Sequence, residues 1–157
     1  MKRYILIAVC VFATLKSSSQ TVVKDNIEYS SVELKSGDKI FLALKDTAQK
    51  HLQMFIDELN KHGSDSANYR FAVKSDFVQN RDHEHMWSMV YAYKNGVFKG
   101  VFIDSAFKLR NIKMGDKVSI DHSEVEDWSI ENISTGKIIG QFSVKYLESK
   151  KKEPDSN

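Results

Sequence analysis

The dipeptide Asn95-Gly96 sits between two runs rich in β-forming residues, and this pattern leaves the chain few ways to fold. Both residues tolerate the positive φ that a two-residue type I′ turn requires, so the pattern predicts a β-hairpin. Met86, Trp87, Val90, Tyr91 and Tyr93 precede the turn; Val97, Phe98, Val101, Phe102 and Ile103 follow it. A two-residue loop sets the register. Tyr93 then faces Phe98, Tyr91 faces Gly100, Met89 faces Phe102 and Trp87 faces Asp104. Side chains alternate along a strand, so these residues share one face. Met86, Ser88, Val90 and Ala92 share the other with Val101 and Ile103. Neither face is polar throughout, which predicts a strand pair covered on both sides. The same alternation points His83, His85 and Trp87 one way and Asp82, Glu84 and Met86 the other.

The beginning of the chain reads as an export signal. Lys2 and Arg3 precede an apolar run from Tyr4 to Leu15, and Ser17-Ser18-Ser19 supplies a small-residue cleavage region before Gln20. The apolar run is too short for a membrane span, which needs about 20 residues. Residues 1–19 are therefore expected to be removed, leaving no stable membrane anchor. The destination is the periplasm or the exterior. Cys10, the single cysteine, lies inside this run and is read as removed rather than lipidated. The mature chain then has no disulfide, no thiol nucleophile and no Cys-ligated metal. The 23 basic and 21 acidic residues become 20 and 21 once Lys2, Arg3 and Lys16 are gone, a net charge of −1. With no basic stripe either, nucleic acid is excluded as a partner.

Residues 20–147 read as a single domain. Gln20 to Val32 is polar and mixed, an ordered arm or a loose leader. Ile40 to Leu44 reads as a short strand. Asp46 to His62 reads as an amphipathic helix, with Ala48, Leu52, Phe55, Ile56 and Leu59 on one stripe, Asp46 as N-cap with Gln49 in capping-box position, and Gly63 at C′. Tyr69 to Val78 reads as a strand, Ala106 to Met114 as an irregular segment anchored by Phe107, Leu109 and Ile112, and Lys117 to Ile120 as a strand after a Gly115-Asp116 turn. Glu124 to Leu147 reads as a second hairpin around Ser134-Thr135-Gly136. A three-residue loop sets Trp128 opposite Phe142 and Ile130 opposite Gly140 and gathers the apolar residues on one side; a two-residue loop sets Trp128 opposite Ser143. Residues 148–157 form a charged tail without an apolar anchor and are expected to be disordered. The fold class is α+β, with one amphipathic helix on a curved antiparallel sheet of five to seven strands; closure into a small barrel is the alternative.

Several pieces in order, Phe71-Ala72-Val73-Lys74, Glu84-His85-Met86-Trp87, Phe98-Lys99-Gly100, Met114-Gly115-Asp116, Asp127-Trp128 and Gly140, resemble the YegJ-like family of uncharacterised bacterial proteins. The resemblance spans roughly residues 40–147. It implies an exported domain of unknown function and brings no established catalytic residues. It draws attention to Glu84, His85, Trp87, Asp127 and Trp128.

Three functional readings follow. The leading one is a non-enzymatic exported domain that binds a protein or envelope component, since aromatic faces are present and no catalytic set is recognisable. The second is a metal-binding protein or metal-dependent hydrolase. His83 and His85 at i and i+2 of a strand share a face, and imidazole with carboxylate suits zinc. His122, Glu124, Glu126 and Asp127 are the candidates for a third ligand. A metal-free acid–base set of Glu84, His85 and Asp127 needs a bulge or a strand end, because Glu84 and His85 point to opposite faces. In the third reading, Glu84, His85, Trp87, Asp127 and Trp128 are a structural clasp.

Overall fold

The structure, a computed structural model, describes residues 19–24, 27–32 and 39–152. The expected signal segment lies outside the described residues up to position 18. The chain divides into two compact units, Met1–Ser36 and Gly37–Asn157. The first contains a hairpin of β1 (Ser19–Lys24) and β2 (Ile27–Val32), paired antiparallel from Ser19 opposite Val32 to Lys24 opposite Ile27.

The second unit begins with α1 (Lys39–Lys50) and α2 (Leu52–His62), joined at His51. The expected strand over Ile40 to Leu44 is thus helical, and Asp46 is an exposed mid-helix residue rather than an N-cap. A five-residue apolar run fits either a strand or one side of a helix; burial decides. Here Phe41, Leu44 and Ala48 turn inward at spacings of three and four, while Ile40 and Leu42 stay exposed. Gln49 does not close a capping box. Its side-chain amide donates to the carbonyls of His122 (2.9 Å) and Val125 (2.6 Å), tying the helix to the sheet. Gly63 is right-handed (φ −63°) rather than left-handed. Its lack of a side chain matters for another reason, since a Cβ there meets the Leu59 carbonyl at 2.5 Å.

Six strands follow: β3 (Tyr69–Gln79), β4 (Asp82–Lys94), β5 (Val97–Phe102), β6 (Lys117–Asp121), β7 (Val125–Asn132) and β8 (Lys137–Gly140). They form one antiparallel sheet in the order β6-β5-β4-β3-β7-β8. The sheet is open, with β6 and β8 at its edges, so the barrel alternative does not hold. A third helix, α3 (Phe142–Lys152), follows β8, where one helix in all was expected.

The central hairpin turns at Asn95-Gly96, both with positive φ, and Tyr93 pairs with Phe98 as the spacing predicts. The register then shifts. Val90, not Tyr91, stands opposite Gly100, and Ser88, not Met89, opposite Phe102. Tyr91 is the extra residue of a β-bulge and is 53% exposed. Strict alternation would bury Met89 and expose Val90; the bulge reverses this and brings Met86, Ser88 and Val90 onto the covered face. Gly100 permits the close approach, since a Cβ there lies 2.1 Å from the Met89 carbonyl oxygen.

The covered face carries two clusters. In the larger, Phe55 of α2 lies 5.8 Å from Phe71, 5.7 Å from Phe98 and 5.5 Å from Trp128, ring centre to ring centre. Val73, Val90, Ile120 and Ile130 complete it. Such aromatic pairs contribute about 0.5–1.5 kcal/mol each beyond area burial. In the smaller cluster, Met86 and Phe102 lie under Ala106 and Leu109 of the irregular 103–116 connection. Phe107, an expected anchor, is instead largely exposed.

The β7–β8 turn has four residues. Asn132 pairs with Lys137 and Ile130 with Ile139, so neither expected register holds. Asn132 Oδ1 accepts from the Thr135 amide and from the Ser134 and Thr135 hydroxyls, which stabilises the longer turn. The strand ends at Gly140 (φ 84°) and Gln141 (φ 54°). These two residues redirect the chain into α3, so the segment up to Leu147 is helical rather than extended. Glu148 to Lys152 of the expected tail continue α3, and residues 153–157 lie outside the described residues.

Candidate functional site

The polar groups singled out in the sequence are divided among three places. On β4, alternation sends Glu84 to the covered face and His83, His85 and Trp87 to the other. Glu84 accepts the backbone amides of Phe107 (2.7 Å), Lys108 (2.8 Å) and Leu109 (3.2 Å). The carboxylate thus holds the loop that roofs the smaller cluster.

His85 meets a different carboxylate. Its Nδ1 lies 2.6 Å from Oε2 of Glu126, which is 7% exposed. Glu126 gets there through a second bulge. The β3–β7 register runs from Lys74 opposite Asp127 directly to Ser75 opposite Val125, leaving Glu126 as the extra residue. The bulge and cover on both faces explain why β7 is buried at every position from Val125 to Ile130. Lys45 of α1 faces the other carboxylate oxygen of Glu126 at 3.6 Å, and the Phe41 ring meets His85 edge-on with centres 5.6 Å apart. On the same face His83 Nδ1 lies 2.7 Å from Oδ2 of Asp76. Lys74, opposite Trp87 on one side and Asp127 on the other, has its pKa lowered by burial, against the upward pull of Glu126 and Asp127. Trp87 is half-buried, and its carbonyl accepts from the Ile103 amide.

Asp127 and Trp128 form the third place. Asp127, 1% exposed, accepts from the amides of Trp128 (2.8 Å) and Phe142 (3.1 Å) through Oδ1, and from the amide (2.8 Å) and hydroxyl (2.6 Å) of Ser143 through Oδ2. It caps the start of α3 from a neighbouring strand. Trp128, fully buried, donates its indole N–H to the Ala48 carbonyl at 2.9 Å and packs against Phe142.

Glu84, His85 and Asp127 therefore do not converge. The pairing that does form, His85 with Glu126, holds the imidazole in one orientation. Glu126 appears among the sequence candidates only as a third metal ligand, and Lys45, Lys74 and Asp76 do not appear. Lys74 carries a detectable signal, a lysine inside the alternating Phe71–Val73–Ser75 strand. Lys45 carries none until its segment is known to be helical. Among the described residues, no three His, Cys, Asp or Glu side chains converge as a metal-ligand set. Among the described residues the aromatic side chains are divided between core and surface. Trp128 and Phe98 are core, Tyr93 and Phe142 pack on it, and Tyr91 is turned outward.

Elsewhere, a depression of about 280 Å³ lies between α2 and edge strand β8. Glu58, Tyr69, Ile130, Asn132, Lys137 and Ile139 line it. Ile138 and Ile139 are both substantially exposed on this strand. No described helix is long and apolar enough to cross a membrane.

The model of a bacterial family, described as "Uncharacterized protein conserved in bacteria (DUF2314)", matches residues 22–156. No curated protein and no solved structure matches the chain.

Proposed function

We propose a function for a chain that belongs to DUF2314, a family of uncharacterised proteins conserved in bacteria: it is an exported, non-enzymatic binding domain that takes up an extended peptide segment of an envelope or secreted protein along β8. The observation that carries this reading is the edge itself. Among the described residues β8 pairs with β7 on one side only, and its exposed Ile139 lines an apolar depression, with Ile138 exposed on the opposite face. An added strand gains main-chain hydrogen bonds from such an edge, and pockets for alternate side chains select its sequence. At about 280 Å³ the depression falls just below the range of about 300–1,000 Å³ usual for small-molecule pockets, so it suits a peptide side chain better than a cofactor. Glu58 and Lys137 at its rim favour a segment with charges of both signs flanking an apolar residue.

Two further parts of the reading rest on sequence. The signal-like residues 1–19 support export to the periplasm or the exterior. The motifs from Phe71 to Gly140 support placing the chain among YegJ-like members.

The test is a peptide selected from a random display library against the purified protein, then titrated into isotopically labelled protein and followed by amide NMR. Shifts along β8 and at Tyr69 and Glu58, with binding lost in Ile139→Lys, support the proposal. Shifts centred on His85 and Trp87, or undiminished binding by a folded Ile139→Lys, overturn it. A turnover abolished by His85→Ala with peptide binding intact overturns the non-enzymatic part.

A further inference from the structure

The pairings of His83 and His85 share a feature that simple surface ion pairs do not require. Each imidazole is held through the same ring nitrogen. His83 Nδ1 meets Asp76 Oδ2 at 2.7 Å, and His85 Nδ1 meets Glu126 Oε2 at 2.6 Å. A neutral imidazole that donates from Nδ1 carries its lone pair on Nε2. Both rings are thus set in the tautomer that binds metal through Nε2. Metal-ligating histidines almost always donate their other ring N–H to a carboxylate, carbonyl or water, which fixes tautomer and orientation.

We propose that Nε2 of His83 and Nε2 of His85 form a two-histidine site for a divalent transition-metal ion of the zinc class, with Asp76 and Glu126 orienting the rings and solvent completing the coordination. The site lies on β4, away from β8, and stands independently of peptide binding.

Strand geometry permits the pair to share an ion. Residues i and i+2 on one face are about 6.6–6.8 Å apart at the backbone, and two Zn–N bonds of about 2.0–2.1 Å require the rings to lean together. The orienting groups are anchored to different degrees. Glu126 is buried in the β7 bulge with Lys45 on its second oxygen, so His85 is held by a group that does not wander. Asp76 stands directly across from His85 in register and diagonal to His83. Its Oδ1 is closed off from solvent and, among the described residues, has no hydrogen-bond partner. The rings themselves are 58% and 43% exposed, so an ion has access. Two imidazoles without a third protein donor leave coordination positions open, and a mixed His/water set suits zinc, copper or nickel better than calcium or magnesium.

The experiment uses the untagged protein, stripped of metal and titrated with zinc chloride by calorimetry, with imidazole nitrogens followed by long-range ¹H–¹⁵N NMR. The expected result is one zinc per chain. Both Nε2 resonances move on binding, and Nδ1 is the protonated nitrogen of both rings. His83→Ala and His85→Ala each weaken binding by at least tenfold. Asp76→Asn keeps both ligands and weakens binding about 10–100-fold, the usual effect of losing an orienting partner. His83→Ala is the decisive variant, because this exposed position can be changed without unfolding the sheet, as circular dichroism will verify. No zinc binding at millimolar concentration, binding unchanged in His83→Ala, or Nε2 resonances that do not move would each overturn the proposal and leave two surface ion pairs.

Discussion

Replacement of Asp127 tests whether a single buried carboxylate decides where α3 sits. Asp127 accepts four hydrogen bonds, two on each oxygen, and three of them come from the first two residues of α3. Hydrogen bonds to a charged group contribute roughly 1.5–3 kcal/mol each, so the gross value is on the order of 6–12 kcal/mol. Most of this is offset, because removing the carboxylate from water costs several kcal/mol. The loss also has a ceiling, since α3 can undock and let water reach the freed amides. A net destabilisation of about 3–5 kcal/mol for Asp127→Ala follows, the range for breaking a buried charge interaction. Asp127→Asn is the sharper variant. It preserves shape, but turns an NH₂ group toward donors on one side, so it should recover less than half of the loss. Guanidinium denaturation of both variants gives the magnitudes. Amide exchange at Phe142 and Ser143 locates the effect, and protection there should fall before protection in β3 and β4. An Asn variant within about 0.5 kcal/mol of the parent would refute the reasoning, because surface-like substitutions fall in that range.

Three further outcomes are expected. Glu84→Ala should cost about 1–2 kcal/mol, at the lower end because the loop faces solvent, and should raise amide exchange selectively at Phe107, Lys108 and Leu109; unchanged exchange there would remove Glu84 from its holding role. Gly140→Ala should cost roughly 3 kcal/mol or more, combining left-handed strain with overpacking, since its φ is 84° and a Cβ meets the Trp128 carbonyl oxygen at 2.1 Å and the indole ring at 2.6 Å; a neutral result by thermal unfolding would contradict the packing. Lys74 has a lowered pKa in the fold, so the folded state bears the burden of its charge below that folded value and is relieved as pH rises toward the ordinary lysine value. The stability of the parent relative to Lys74→Met should therefore increase through the alkaline range, and a difference that falls with pH, measured by urea denaturation, would reverse the assignment.

Much of the fold is legible from short-range signals. The Asn95-Gly96 turn, the Tyr93–Phe98 pair, the strand from Tyr69, the Gly115-Asp116 turn and the inward stripe of Leu52, Phe55, Ile56 and Leu59 all follow from local backbone preference and periodicity. The misreadings of which way side chains face along β4 and β7 have one physical origin. Alternation assumes an unbroken strand, and this sheet breaks it twice, at Tyr91 and at Glu126. A bulge is stabilised by what it brings together, so its signal lies in distant residues: Val90 under the helix layer in one case, and Glu126 against His85 in the other. The apolar run Ile40 to Leu44 is ambiguous for the same reason, because only β7 and its neighbours establish that Phe41 and Leu44 need to point one way.

The candidate residues divide along that line. Local sequence alone places His83 and His85 on one face of a strand and Glu84 on the other, because the alternation of side chains is a property of the strand itself. It also marks Asp127-Trp128 as a pair of interest. Only the tertiary structure decides what each group meets. Glu84 receives three loop amides, Asp127 receives the first turn of α3, His85 receives the carboxylate of Glu126, and Lys74 lies between Trp87 and Asp127. The hydrogen-bonded partners of Glu84, Asp127 and His85 are 15 to 41 residues away in the chain. A charged side chain has no preferred partner at that range until packing excludes water, and packing is a property of the whole sheet.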